Sequence, residues 1–175
     1  MKKGLLVNGY GMTNLTPITK TMVHLPMASL PRPPVKGLVL CLGMGTSFRS
    51  MLTWGVDATV VELVPSIPAL LPFYQADGEE VRRNPRGKIV VDDARRFLER
   101  NGETFDVIVI DPPPPIETAG SSLLYSSEFY ESARRRLAPD GILAQWLPEG
   151  DPVVVSSVAR AIASNRSRWS AGSLS

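Results

Sequence analysis

Four short apolar runs constrain this chain most, because each stops abruptly at a glycine turn or an acid. Leu38-Val39-Leu40-Cys41-Leu42 leads into Gly43-Met44-Gly45, and Ala58-Thr59-Val60-Val61 ends at Glu62. Residues 88–91 end at Asp92-Asp93, and residues 105–110 end at Asp111. Continuous apolar runs of this length suit strands buried on both faces of a parallel sheet. Between them, residues 47–54, 66–74, 94–100 and 127–137 read as helices. A fifth strand is expected at 141–146 and a last helix at 152–163. Strands alternating with helices predict an α/β fold, and right-handed crossovers make it doubly wound, with strand order 3-2-1-4-5.

The 175 residues suit one domain with one core. Residues 1–34 read as an N-terminal segment: a hairpin turning at Asn8-Gly9, a helix over 19–30, and the stiff linker Pro31-Arg32-Pro33-Pro34. Residues 35–163 form the main domain, and the Ser- and Arg-rich stretch 164–175 is expected to be disordered. A formal net charge of +2 argues against nucleic acid or an anionic membrane as partner. One cysteine excludes an internal disulfide, so a reduced cytoplasmic setting is expected. No apolar run approaches the roughly 20 residues of a membrane span. Asn8 and Gly9 cut short the apolar stretch after Met1-Lys2-Lys3, which argues against a signal peptide.

In an open parallel sheet, ligands bind beyond the carboxyl ends of the strands, where strand order reverses. Gly43 and Gly45 allow either a plain turn or a close backbone approach to a ligand. Glu62 is a solvated strand-end acid or an acceptor for a ribose diol. Asp93 suits a helix cap, acceptance from an adenine amino group, or both. Asp111, followed by Pro112 to Pro115, either makes a turn or holds an acid at the crevice. His24 reads as a packed or capping residue, Cys41 as core filler, and Arg134-Arg135-Arg136 as a solvated face. Tyr125 lines an acceptor pocket or packs in the core. No cluster of metal-ligand type stands out.

A collinear set of motifs then carries a resemblance: Leu6-Val7-Asn8-Gly9, Met22-Val23-His24-Leu25-Pro26, the glycine turn, Val61-Glu62, Asp93-Ala94-Arg95-Arg96-Phe97-Leu98, Asp106 to Asp111, and Leu124-Tyr125-Ser126-Ser127-Glu128-Phe129-Tyr130. Over residues 4–148 the chain resembles the spermidine synthase (polyamine aminopropyltransferase) family. It looks closest to spermidine synthase-like domains fused to transporter-like membrane halves, and no such half lies in this sequence. The resemblance implies a Rossmann-like fold of the adenosylmethionine-dependent methyltransferase type. It also implies aminopropyl transfer from decarboxylated S-adenosylmethionine to an amine, within polyamine biosynthesis and without a metal. Glu62 would hold the ribose, Asp93 and Ala94 the adenine, and Asp111 would help take a proton from the attacking amine, with Tyr125 beside it.

The departures from the family pattern bear on substrate. The family's Gly-Gly-Gly-Asp-Gly reads Cys41-Leu42-Gly43-Met44-Gly45 here, so Met44 stands where an acid would meet the donor's amino group. The family's Asp-Ser-Ser-Asp-Pro reads Asp111-Pro112-Pro113-Pro114-Pro115. Two other functions stay open: an S-adenosylmethionine-dependent methyltransferase, and a catalytically silent nucleoside-binding module. The partners expected are a small-molecule amine and no nucleic acid, with room for a homodimer or a separate membrane domain.

Overall fold

A computed structural model of the chain describes residues 4–7, 10–14, 17–112, 122–147 and 152–170. At the N-terminus β1 (Gly4–Val7) and β2 (Tyr10–Asn14) pair antiparallel, with Val7 opposite Tyr10. This is the expected hairpin, although Asn8 and Gly9 themselves lie outside the described residues. Helix α1 (Pro17–Ser29) follows and buries Val23, Pro26 and Met27.

The main sheet contains β3 (Lys36–Leu40), β4 (Asp57–Glu62), β5 (Gly87–Val91), β6 (Phe105–Ile110) and β7 (Leu137–Gln145). All its pairings are parallel, and the spatial order is β5-β4-β3-β6-β7. Counted along this sheet, that is third, second, first, fourth, fifth, the order expected from the sequence. The order reverses between β3 and β6, and this defines the switch point of the fold.

Alternation of side chains along each strand explains why the runs are apolar throughout. Val39, Val60, Val107 and Val109 face one layer, with Phe48 and Met51 of α2 (Thr46–Leu52). That layer also holds Val23 and Met27 of α1 and Leu71 and Tyr74 of α3 (Leu71–Tyr74). Leu38, Leu40, Val61, Ile108 and Ile110 face the other layer. There they meet Leu98 of α5 (Ala94–Arg100) and Phe129, Tyr130 and Ala133 of α6 (Ser127–Arg134). β6 is buried at every position, as befits a strand with neighbours on both sides and helices on both faces.

Several boundaries differ from the sequence reading, each for a local reason. β3 stops at Leu40 because Cys41 takes a left-handed φ of 75°, which no strand sustains. The segment expected as one helix over 66–74 begins as a 3-10 turn, Ile67–Leu70, before α3. A further helix, α4 (Gly78–Arg82), went unread. Gly78 is required there because a Cβ would stand 2.3 Å from the Leu71 carbonyl oxygen. α6 ends at Arg134, earlier than expected, because the chain turns to pair with β6: Phe105 N–H donates to the Arg136 carbonyl at 2.8 Å. β7 then pairs Leu137 with Phe105 and next Ile142 with Val107, an irregularity that holds Asp140 at φ 62°. The last helix, α7 (Pro152–Ser170), is the one clear correction: residues 164–170, expected as a disordered tail, continue the helix.

Candidate active site

The carboxyl ends of β3, β4, β5 and β6 bring the glycine turn, Glu62, Asp93 and Asp111 to one edge of the sheet. Cys41 N–H still donates to the Val61 carbonyl at 2.9 Å, so the turn begins while registered on β4. Gly43 and Gly45 sit at φ 51° and 81°. The two glycines serve different ends. Around Gly43 a Cβ would meet nothing within 4 Å, so its backbone faces open space. At Gly45 a Cβ would lie 2.2 Å from Leu71 Cδ2, so that residue is glycine for packing as well as for φ.

Glu62 is buried, and its carboxylate braces the turn. Oε2 accepts from Leu42 N–H at 2.9 Å and Gly43 N–H at 3.4 Å, while Oε1 accepts from Val64 N–H at 2.8 Å. Sequence alone allows Glu62 to be solvated or ribose-binding. It is neither simply solvated nor idle, yet each oxygen keeps lone-pair capacity for a further donor.

Met44 departs from its expected place. Its side chain is buried in the core layer formed with Phe48 and Leu71, so it presents nothing to the crevice. Only its backbone takes part, through a carbonyl that accepts from Gln75 Nε2 at 3.2 Å. The same Gln75 nitrogen reaches Thr46 Oγ1 at 3.3 Å, clamping both ends of the turn into α2. Gln75 went unread because its partners are some 30 residues away in sequence.

Asp93 caps α5. Its Oδ1 accepts from the N–H groups of Arg95 at 2.9 Å and Arg96 at 3.2 Å, which leaves the N–H of Ala94 for another acceptor. Burial works against its charge, but the Arg96 and Arg95 N–H groups and the Arg95 guanidinium hold its carboxyl below the usual carboxylate range.

Asp111 is the contrasting acid. Its N–H donates to the Leu40 carbonyl at 3.1 Å, which fixes it beside β3 at the switch point. Burial raises its carboxyl to about 6, opposed only by the Ser47 hydroxyl, 3.4 Å from Oδ2. Pro112 is buried behind it, while Pro113 to Pro115 lie outside the described residues.

Cys41, read as core filler, instead stands among the site acids. Burial pushes its thiol up, and the charges of Glu62, Asp111 and Asp93 push it further. Tyr125, in a 3-10 turn ahead of α6, is buried with its hydroxyl 3.5 Å from the Trp146 carbonyl. Burial, then Cys41 and Asp111, raise its phenol, so it stands within electrostatic reach of the same crevice. Gln145 links this corner, accepting from the Tyr130 hydroxyl at 2.6 Å and donating to the Leu124 carbonyl at 3.2 Å.

Other residues lie apart. His24 is exposed on α1 and accepts from the Trp54 indole N–H at 2.9 Å, remote from the acids. Arg134 and Arg135 pair with Glu131, and Arg136 donates to the Leu98 carbonyl. Among the described residues, no group of three or more His, Cys, Asp or Glu is placed to hold a metal ion. Nor is any described helix long and apolar enough to cross a membrane. A surface depression does occur at the opposite, amino edge of the sheet, between Lys36, Asp57, Arg86 and Glu103. Lys88 lines it as well, and four of its charges are taken up in the Lys36–Glu103 and Arg86–Asp57 pairs.

Comparison with known proteins bears on the family and the fold. The spermine/spermidine synthase domain model matches residues 16–165. The polyamine aminopropyltransferase of Sulfurisphaera tokodaii is 30% identical over 149 residues, covering 82% of this chain and 49% of that protein. That of a Synechococcus species is 30% identical over 152 residues, covering 79% and 47%. The chain therefore spans about half the length of the curated relatives it matches. The spermidine synthase structure from Thermotoga maritima superposes with TM-score 0.76 at 26% identity, over 90% of this chain and 54% of that one. An S-adenosylmethionine-dependent methyltransferase from Agrobacterium tumefaciens shares the fold, with TM-score 0.62 at 17% identity, over 92% and 57%. With the domain model covering most of its length, the chain belongs to the spermine/spermidine synthase domain family.

Proposed function

We propose that residues 35–163 supply the nucleoside pocket and the amine-activating acid of an aminopropyltransferase of polyamine biosynthesis. The donor is decarboxylated S-adenosylmethionine and the acceptor a small amine. Glu62 takes the ribose hydroxyls, Asp93 and the Ala94 N–H take the adenine edge, and the open backbone at Gly43 lets the sulfonium end approach. The amine nitrogen attacks the carbon beside the sulfonium sulfur. A C–N bond forms as the C–S bond breaks, the electron pair stays on sulfur, and methylthioadenosine leaves. The nitrogen gives up one proton, and the Asp111 carboxylate accepts it. A sulfonium is already a good leaving group, so this route calls for no metal.

The observation that carries this reading is the half-buried Asp111 carboxyl, fixed beside β3 at the switch point and raised by desolvation to about 6. Such an acid is ionised at neutral pH yet more basic than an ordinary aspartate, as a general base should be. Met44 supports a restricted substrate range. With methionine in place of the acid and its side chain in the core, the turn offers no carboxylate to the donor's amino group, so the donor should be held less tightly and transfer to putrescine should be weak. A cytoplasmic location fits the free Cys41 thiol.

The test is calorimetric titration of the full chain with decarboxylated S-adenosylmethionine, S-adenosylmethionine and methylthioadenosine, followed by an amine panel assayed for methylthioadenosine release. Preference for the decarboxylated donor with release of methylthioadenosine is expected. Preference for the carboxylated donor would replace the reading with methyl transfer. Binding without turnover of any amine would replace it with a silent nucleoside-binding module.

A further inference from the structure

Among the described residues the Asp111 carboxylate has few partners: its side chain makes one hydrogen bond, from Ser47 Oγ to Oδ2 at 3.4 Å. Ser47 lies in the first turn of α2 and is 2% exposed, so its hydroxyl has no bulk water to turn to. A serine hydroxyl both donates and accepts, so it can serve Asp111 as carboxylate and as acid. We infer that Ser47 is the positioning residue for Asp111, pinning Oδ2 against α2 so that Oδ1 is the oxygen open to an incoming amine. The inference rests on the reading of Asp111 as the amine-activating acid.

The surroundings support this assignment. From the end of β3 the Cys41 thiol faces Asp111, and from the turn before α6 the Tyr125 phenol does. Burial pushes both upward, so both are neutral where Asp111 titrates. Arg49, the cation of α2, is committed to Asp77 through contacts of 2.8 and 2.7 Å. Of the groups facing Asp111, Ser47 is thus the one whose contact favours the charged form. A hydrogen bond to a charged group gains most when the charge is present, so the 3.4 Å contact should shorten as Asp111 ionises.

The test follows the Asp111 carboxyl itself, by carbon-13 NMR of the full chain labelled at aspartate, with Asp111→Asn assigning the resonance. In Ser47→Ala the titration midpoint should rise above its value in the unaltered chain. With amine turnover, kcat at pH 8 should fall by about threefold to tenfold. The KM for the donor should hold steady. Ser47→Thr keeps the hydroxyl and should restore both midpoint and kcat. An unchanged midpoint in folded Ser47→Ala would overturn the inference, as would a threonine variant that behaves like alanine. If Ser47→Ala does not fold, Ser47→Cys, close in shape and a weaker donor, should give a smaller rise, and no rise would count against Ser47. Should the midpoint move while no amine is turned over, Ser47 stands and the aminopropyl reading falls.

Discussion

β6 carries an aspartate at each end, and the two are held in opposite ways. Asp106, at the amino end, is buried and accepts from Val35 N–H at 2.7 Å, Lys36 N–H at 2.9 Å and Arg32 Nη2 at 2.5 Å. Burial opposes its charge, but these three donors hold its carboxyl below the usual range. Asp111, at the carboxyl end, meets its desolvation with one long hydroxyl contact and is raised to about 6. Desolvation with unequal compensation shifts the two carboxyls in opposite directions. Asp106 ties the proline linker to the sheet, whereas the Asp111 carboxyl keeps most of its acceptor capacity among the described residues.

The largest expected effect is catalytic. Asp111→Asn should lower amine transfer by about 10²–10⁴-fold while adenosyl-ligand affinity changes little. A variant that retains transfer would break the contrast at its functional end. Next, Asp106→Ala should cost about 3 kcal/mol in urea denaturation, because two backbone donors and Arg32 lose a buried acceptor. A cost below about 1 kcal/mol would show that the linker is not held by Asp106.

A third expectation concerns the sign of pH dependence. The Asp111 pKa rises from 3.8 unfolded to about 6 folded, so the stability it lends is full below 3.8 and is lost as pH climbs through about 6. An asparagine side chain is neutral throughout, so Asp111→Asn should be more stable than the parent at pH 8 by about 3 kcal/mol, with the difference vanishing near pH 4. Asp106 has the reverse sign: its contribution is full above its unfolded pKa and is lost as pH falls through its depressed folded value. Thermal melts across pH 3 to 8 of parent and Asp111→Asn would expose both slopes, and parallel curves would contradict the contrast. The smallest effect should come from Cys41→Gly, which relieves a left-handed φ of 75° and should gain about 1 kcal/mol. A loss of stability instead would mean that the thiol packing outweighs the backbone relief.

The strands and the edge that gathers their terminal acids were legible because they follow from local pattern and one topological rule. The apolar runs, their terminal acids and the order 3-2-1-4-5 needed no distant partner to be read. Side-chain direction was not legible. Met44 points into the core and Cys41 toward the acids because the chain turns left-handed at Cys41, Gly43 and Gly45, a property of backbone angles rather than of residue type. The braces were hidden for another reason. Gln75 reaches back to Met44, and Asp106 reaches Val35 across 71 positions, so no window of sequence contains both partners. The helical extension over 164–170 was not legible because its Ser- and Arg-rich composition carries no sign of the helix it continues.

The Glu62 brace implies thermodynamic linkage between turn order and ligand occupancy. Its Oε2 already serves the Leu42 and Gly43 amides, so any hydroxyl that binds the carboxylate joins an existing three-way arrangement. Under the proposed ribose contact, ligand and turn would stabilise one another reciprocally, because each improves the orientation of an acceptor the other uses. The Leu42 amide thereby becomes a reporter: its hydrogen-exchange rate should slow on nucleoside binding, although the amide need never touch the nucleoside.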